Sequence, residues 1–321
     1  MYDKITRRTF LKGSGLALAA LSGCHLTGGQ TMPESCGIKV PYSSGTELPR
    51  TKVPYNACDC HHHIYDSRFP SDAKAGLRSP DATVADYRLL QRRLGTTRNV
   101  IVQPSAYGVN NTGLMIALKE FGTTNTRGIA VVNTGVSDAE LKQLYAVGVR
   151  GIRFNLVQPG GVTTMDMVQP LSERALALGW HIQVVARADQ ILANADILRR
   201  AVCPVVFDHM GHIPSVSHPA FDFIIGLMKT GKAWVKLSGA YILSKVGPPT
   251  YADRTAVAQG YVKAAPDKLV WGSDWPHPSE KLDDKPDDAI LLDLLSLWVP
   301  DESTRNRILV DNPARLYGFA M

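Results

Sequence analysis

The chain has 321 residues, 45% of them apolar and 20% charged, which is enough to bury one large core. Its formal charge of +6 is concentrated at the start, where Lys4, Arg7, Arg8 and Lys12 are offset only by Asp3; the rest carries about +3. No cluster of Lys and Arg interleaved with aromatic residues follows, which argues against nucleic acid as a partner.

The first element is a targeting segment. Thr6-Arg7-Arg8-Thr9-Phe10-Leu11-Lys12 resembles a twin-arginine export signal, and the apolar run from Gly13 to Gly23 follows it. That run is too short to span a bilayer as a helix, which takes about 20 residues. Residues 1–26 are therefore expected to be a signal peptide read by the twin-arginine export machinery. Leu21-Ser22-Gly23-Cys24 also resembles a lipobox, whose cysteine would be lipidated after cleavage. Processing at a nearby small residue is the alternative, so the mature protein is expected to be periplasmic or lipid-anchored.

Residues 27–49, rich in Gly, Ser and Pro, are read as a flexible linker containing Cys36. Of the other cysteines, Cys58 and Cys60 alternate on one face of a short strand and Cys203 stands apart. They have neither C-x-x-C nor zinc-ribbon spacing, and no disulfide pairing stands out.

From residue 50 onward, short apolar runs alternate with amphipathic segments. The runs are 55–60, 99–103, 128–132, 151–154, 181–186, 204–208, 234–237 and 269–272; the helical patterns include 84–94, 138–146, 190–200 and 303–310. Eight apolar runs, rich in Val and Ile and nearly free of charge, predict a parallel sheet buried on both faces. Eight is also the number that closes a barrel. The fold class expected for residues 50–321 is a single α/β domain, a (β/α)8 TIM barrel. An open doubly wound sheet would want a glycine-rich phosphate loop after its first strand, and histidines stand there instead.

Barrel active sites lie at the C-terminal ends of the strands. The first run ends in Asp59-Cys60-His61-His62-His63, and two histidines two residues apart on an extended segment point the same way. The sixth ends in Asp208-His209-Met210-Gly211-His212 and the eighth in Gly272-Ser273-Asp274-Trp275-Pro276-His277. His61, His63, His209 and Asp274 thus fall on one barrel face. They are the candidate catalytic residues.

This pattern resembles the amidohydrolase superfamily, and the wider set of motifs resembles its branch of amidohydrolase-related lactonases, of the pyrone dicarboxylate and sugar-acid type. The stretches that carry the likeness are Asn99-Val-Ile-Val-Gln-Pro-Ser105, Gly148-Val-Arg-Gly-Ile-Arg-Phe-Asn155, Asp208-His-Met-Gly211, Gly272-Ser-Asp-Trp-Pro-His-Pro278 and Asn312-Pro-Ala-Arg-Leu-Tyr317. The resemblance implies a hydrolase that opens a lactone of a small carboxylated substrate. Many superfamily members add ligands at the ends of the fourth and fifth strands. Here the fourth ends Arg153-Phe154-Asn155, and His181 opens the fifth, at the opposite end of the barrel. No cofactor is therefore expected, as in the resembling lactonases; His61, His63, His209 and Asp274 would be the ligands of a single zinc ion if one is bound.

In this reading Asp274 takes a proton from water, provided that burial raises its pKa, while the three histidines polarise the lactone carbonyl. Gln103, Ser105, Arg153, His212 and His277 are candidate substrate-binding residues, Arg153 for a carboxylate because its planar fork binds one bidentately. Arg150 and Lys236 are expected to face the helices or the barrel floor. The dicarboxylate lactonases carry arginine at the position of His212 and in the loops after the fourth and seventh strands; this chain has none there. At about 1.5–3 kcal/mol per charged contact, that difference favours a mono-anionic lactone. Lactone isomerisation, zinc-dependent decarboxylation and non-catalytic binding on the same barrel are the competing functions. The stretch 281–288, acidic and with a proline, is read as a solvated loop at the mouth of the site.

Overall fold

Eight strands, short and almost wholly buried, wind around one core in the computed structural model, which describes residues 37–72, 79–157 and 162–320. They are β1 (Cys58–His62), β2 (Arg98–Val102), β3 (Thr126–Ala130), β4 (Val149–Asn155), β5 (His181–Val185), β6 (Val205–Phe207), β7 (Ala233–Leu237) and β8 (Leu269–Trp271). All pair in parallel and in sequential order, the arrangement expected of a (β/α)8 barrel. The signal peptide, with Cys24, and Cys36 lie outside the described residues. Cys58, Cys60 and Cys203 are buried free thiols.

Helices cover the outside, and local sequence sets their ends. α1 (Val84–Leu94) opens on a capping box between Thr83 and Asp86 and stops at Gly95, whose φ of 77° suits glycine. α2 (Thr112–Phe121), α3 (Asp138–Ala146) and α4 (Val168–Ala177) follow the next strands. The periodic segment 190–200 does not form one helix. It divides into α5 (Ala188–Ala193) and α6 (Ala195–Arg200), because the Asn194 side chain donates to Gln190 O at 2.7 Å and competes with the backbone there. α7 (Pro219–Lys229), the short α8 (Ala240–Leu243), α9 (Ala252–Ala264) and α10 (Asp288–Trp298) come next. The segment expected at 303–310 is α11 (Glu302–Asn306) running into a π-helical turn at Arg307–Asp311, ahead of α12 (Asn312–Tyr317).

The seam between β8 and β1 closes just beyond the end of β8. Asp274 N donates to His61 O at 2.8 Å, and His63 N donates to Trp275 O at 2.8 Å. Asp59 fastens the same seam from outside the barrel: it accepts from His61 N, Ser273 N, Ser273 Oγ and Tyr87 OH at 3.1, 2.9, 2.6 and 2.9 Å. Gly272 permits this approach, since a Cβ there would stand 2.7 Å from His61 Cβ and 2.9 Å from His61 N. Gly272→Ala is expected to force the seam apart at a cost of about 1–3 kcal/mol, read by urea unfolding, with activity lost before the fold.

β1 carries a bulge. Between Asp59 and His62 it advances three residues while β2 advances two, from Asn99 to Ile101. Strict alternation from Cys58 and Cys60 would turn His62 inward; the extra residue turns His61 and His63 inward instead. His62 stacks outside on Tyr87, with ring centroids 3.5 Å apart, and bonds Asn99 at 2.9 Å.

Below the polar layer the interior is apolar, built from Cys58, Cys60, Val100, Ile129, Val206 and Trp234. The chain end seals this floor. Arg127 donates to Tyr317 O and Gly318 O at 3.1 and 2.7 Å, Arg98 donates to Ala320 O at 2.5 Å, and both guanidinium groups lie over the Phe319 ring.

Residues 37–49, read from composition as part of a flexible linker, are packed instead. Val40 is buried, Trp275 Nε1 donates to Pro41 O at 2.7 Å, and Arg93 bonds Glu47 O, Ser43 Oγ and Ser44 O at 2.9–3.0 Å. Composition marks an irregular backbone but does not say whether its carbonyls find buried donors.

Candidate active site

The three strand ends bring their side chains to one atom. Asp274 Oδ1 lies 3.4 Å from His61 Nε2, 3.4 Å from His63 Nε2 and 3.8 Å from His209 Nε2. All four residues are buried. His209 reaches its place from a segment of left-handed backbone that runs through Met210 to His212, and it rests against Gly239. A Cβ on Gly239, whose φ is 62°, would come within 2.8 Å of His209 Nδ1.

Each imidazole is held from behind. His63 Nδ1 lies 2.8 Å from Val102 O, a pure acceptor, so Nδ1 carries the proton and Nε2 presents a lone pair to the site. His209 Nδ1 bonds Ser238 Oγ at 3.0 Å. Behind His61 lies Lys236, fully buried, whose Nζ donates to Cys60 O at 2.8 Å and Gln183 Oε1 at 2.7 Å and lies 3.2 Å from His61 Nδ1. The same His61 Nδ1 lies 3.2 Å from Asp208 Oδ1, and His61 Nε2 faces Asp274 and His63 Nε2, 3.3 Å away. Asp208 balances the ammonium. Its Oδ1 stands 3.4 Å from Nζ, and its Oδ2 accepts from Gln183 Nε2 at 3.0 Å.

Burial and charge pull the site in opposite directions. Burial holds the His61 and His209 imidazoles below their ordinary range, with the carboxylates Asp208 and Asp274 opposing. Burial likewise brings His212 down to about 4. For Asp274, burial acts to raise the carboxyl, as expected from sequence, but the imidazoles of His209, His63 and His61 outweigh it. The carboxyl is held well below the usual carboxylate range. The expectation of a raised pKa is therefore corrected: Asp274 is ionised throughout the neutral range.

The expected substrate-binding residues divide. Arg153 is buried beside the cluster, with one Nη donating to Gln103 O at 3.3 Å, Nε 3.7 Å from Asp208 Oδ2, and no hydrogen bond at Nε. Its fork is not closed on a carboxylate. Gln103 donates to Asn110 O at 2.7 Å and keeps an unpaired Oε1. Ser105 Oγ accepts from Asn155 Nδ2 at 2.7 Å. His212 stands beside His209 at 5.7 Å between ring centroids, with Nε2 unpaired. His277 is different. Its two nitrogens are engaged by Tyr241 OH and Asp288 Oδ2, both at 3.1 Å, so it is turned into the protein rather than toward a substrate.

His181 lies on the floor beside Tyr317, as its place at the start of β5 implies. Arg150 stacks on Tyr145 at the outside. Lys236 does not belong with the surrounding helices; it lies within the barrel, directly beneath His61. The residues that sequence reasoning left without a role are Asp208, Gln183, Ser238 and Tyr241, whose hydroxyl donates to Asp274 Oδ2 at 2.6 Å. Alternation along Trp234-Val-Lys236-Leu-Ser238, from Val206 to Asp208 and from His181 to Gln183 carries a signal for three of them. Tyr241, in the short α8, has none. The loop at 281–288 is solvated only in part, since Lys285 donates to His277 O at 2.7 Å and Asp288 is fully buried.

His61, His209 and Asp274 each offer one ligand atom, all within 4.8 Å of one another, and in donor type they fit a divalent ion such as zinc. The chemistry the arrangement supports is addition of water to a polarised carbonyl: an ionised carboxylate, lone pairs to receive water protons, and N–H donors beside them.

A family model described as amidohydrolase matches residues 58–319. A 2-pyrone-4,6-dicarboxylate hydrolase of Comamonas testosteroni is 35% identical over 283 residues, covering 84% of this chain and 92% of that one. A D-galactarolactone isomerase of Agrobacterium fabrum is 30% identical over 280 residues, covering 85% and 94%. Among solved structures, an Agrobacterium tumefaciens protein without ligand superimposes with a TM-score of 0.80 at 28% identity, over 87% of this chain and 99% of that one.

Proposed function

Because this chain belongs to the amidohydrolase family, we propose that it hydrolyses the ring ester of a small carboxylated lactone, of the sugar-acid or pyrone type, with water activated by Asp274. One observation carries the reading. Asp274 Oδ1 is buried and makes no hydrogen bond, yet three imidazole Nε2 atoms stand 3.4–3.8 Å from it. A water molecule among them donates one proton to Oδ1 and the other to the His63 Nε2 lone pair.

In the reaction the water oxygen adds to the lactone carbonyl carbon while its proton passes to Asp274 Oδ1. The carbonyl oxygen gains charge and is met by the imidazoles of His61 and His209. Collapse of the tetrahedral intermediate breaks the ring C–O bond, and the leaving oxygen takes the proton back from Asp274. The low pKa of Asp274 makes it a modest base that is always in its working form.

The reading commits to hydrolysis without a metal. Lys236 and Arg153 both place a fixed cation against the carboxylate of Asp208, behind the imidazoles. An ion bound here would be held by His61, His209 and Asp274, and its chemistry would be Lewis-acid polarisation of the carbonyl. Arg153 offers one guanidinium for a substrate carboxylate, and His212 stands where a second cation would serve a dianion, which favours a mono-anionic lactone. The twin-arginine pattern at residues 6–12 and the lipobox-like Cys24 support the further proposal that the enzyme works outside the cytoplasm, as a periplasmic or lipid-anchored protein.

The test is a pH-indicator screen of sugar-acid and pyrone lactones, with metal analysis of the same preparation. Acid release at far below one equivalent of metal is expected, with one solvent oxygen incorporated into the product. A product without solvent oxygen would make the enzyme an isomerase. Activity that requires stoichiometric zinc and releases CO2 would make it a decarboxylase.

A further inference from the structure

Behind Asp274 runs a line of buried side chains that the reaction as written does not use. Tyr241 of α8 donates its hydroxyl to Asp274 Oδ2 at 2.6 Å. The Tyr241 oxygen lies 3.1 Å from His277 Nδ1, and His277 Nε2 lies 3.1 Å from Oδ2 of Asp288, the first residue of α10. His277 and Asp288 are fully buried. The links tie together the loop after β7, the turn after β8 and the start of α10.

The two links nearest Asp274 have defined donors. Tyr241 has a single proton, and the 2.6 Å link places it on Asp274, so the hydroxyl meets His277 as an acceptor from Nδ1. The backbone agrees that the turn is held by its side chains. Asp274 and His277 have φ of 66° and 56°, a left-handed conformation that is strained for a non-glycine residue and persists only where the surroundings over-determine it. His277 N donates to Asp274 O at 2.7 Å, closing the same turn. With Oδ2 occupied by Tyr241, Oδ1 is the oxygen left to face the imidazoles.

We propose that Tyr241, His277 and Asp288 are positioning residues for lactone hydrolysis: they fix the Asp274 carboxylate with Oδ1 toward the attacking water, and His277 acts through Tyr241 without touching substrate. This rests on the lactonase reading with Asp274 as base. A base displaced by a few tenths of an ångström still binds substrate beside it but attacks poorly, so the signature falls in kcat.

The experiment is a double-mutant cycle on the full chain, assayed with a lactone that the wild type opens. Tyr241→Phe and His277→Ala are each expected to lower kcat by about 10- to 100-fold with KM within about twofold. The double variant is expected to be no slower than Tyr241→Phe alone, because both cuts break one series of contacts. His277→Asn, whose side-chain amide donates from near the Nδ1 position, is expected to recover part of the kcat lost in His277→Ala. Overturning results are a KM rise with kcat preserved in His277→Ala, losses that multiply in the double variant, or wild-type kcat in Tyr241→Phe. If His277→Ala does not fold, Tyr241→Phe, His277→Asn and their combination carry the same comparison. A wild type that opens no lactone removes the functional reading and this inference with it; an active wild type with indifferent variants removes this inference alone.

Discussion

Asp274→Asn is expected to reduce kcat by about 10³- to 10⁴-fold while leaving the fold intact. The amide keeps the size of the carboxyl and still accepts from Tyr241, so the seam and the turn after β8 have no steric reason to move. What it loses is the charge on Oδ1, the oxygen around which three imidazole Nε2 atoms stand at 3.4–3.8 Å. An amide there cannot take a proton from water. Binding moves in the opposite direction from turnover, because removing the Asp274 charge takes away its repulsion of an anionic substrate. KM for an anionic lactone is therefore expected to stay or fall. Steady-state kinetics and thermal melting of the same preparation check both halves. A variant that keeps more than a tenth of wild-type turnover would remove Asp274 as the base. Saturable binding with no turnover in the wild type would instead favour the non-catalytic alternative.

Lys236→Met is expected to be the most destabilising single change in the barrel interior. Its ammonium is fully buried, donates to Cys60 O and Gln183 Oε1, and lies 3.4 Å from Asp208 Oδ1. Methionine fills the same volume but leaves the Asp208 carboxylate buried without its ammonium partner, a loss of about 3–5 kcal/mol. In a domain of this size that corresponds to a melting temperature lower by roughly 10 °C. The variant also removes the ammonium that lies 3.2 Å behind His61 Nδ1, so whatever folds is expected to turn over slowly. Adding Asp208→Asn removes the stranded charge and is expected to restore part of the stability in urea unfolding, but not the activity. If Lys236→Met melts with the wild type, the buried pair does not carry the weight given to it here.

The barrel was legible in sequence because buried parallel strands are dense in β-branched residues and punctuated by helices. The bounds of α1 and α3 follow from a capping box and a serine cap at their starts. His61, His63, His209 and Asp274 were legible because strand ends in a barrel share one face. The local sequence at β1 misleads on phase, since Cys58 and Cys60 set an alternation that admits His62. Only the fit of β1 against β8, through Asp59, Ser273 and Gly272, places the extra residue. His277 was assigned to the substrate from its place at a strand end. Its partners, Tyr241 and Asp288, lie 36 residues before it and 11 after it, so no local pattern shows that both ring nitrogens are already engaged. The sign of the Asp274 shift was missed for a related reason. Burial can be read from a strand end, but the number of imidazoles around one oxygen is set by three separate strands.

The sealed floor has a consequence in time. Arg98 holds the carbonyl of Ala320 across 222 residues, and Asp59 meets Ser273 across 214. The first strand is synthesised early, yet its histidines have nothing to face until the eighth emerges, and the barrel floor stays open until residues 317–320 are in place. Until those residues arrive the apolar lining of the floor has no cover, so the histidine–aspartate cluster and the base of the fold both wait on contacts of high sequence separation.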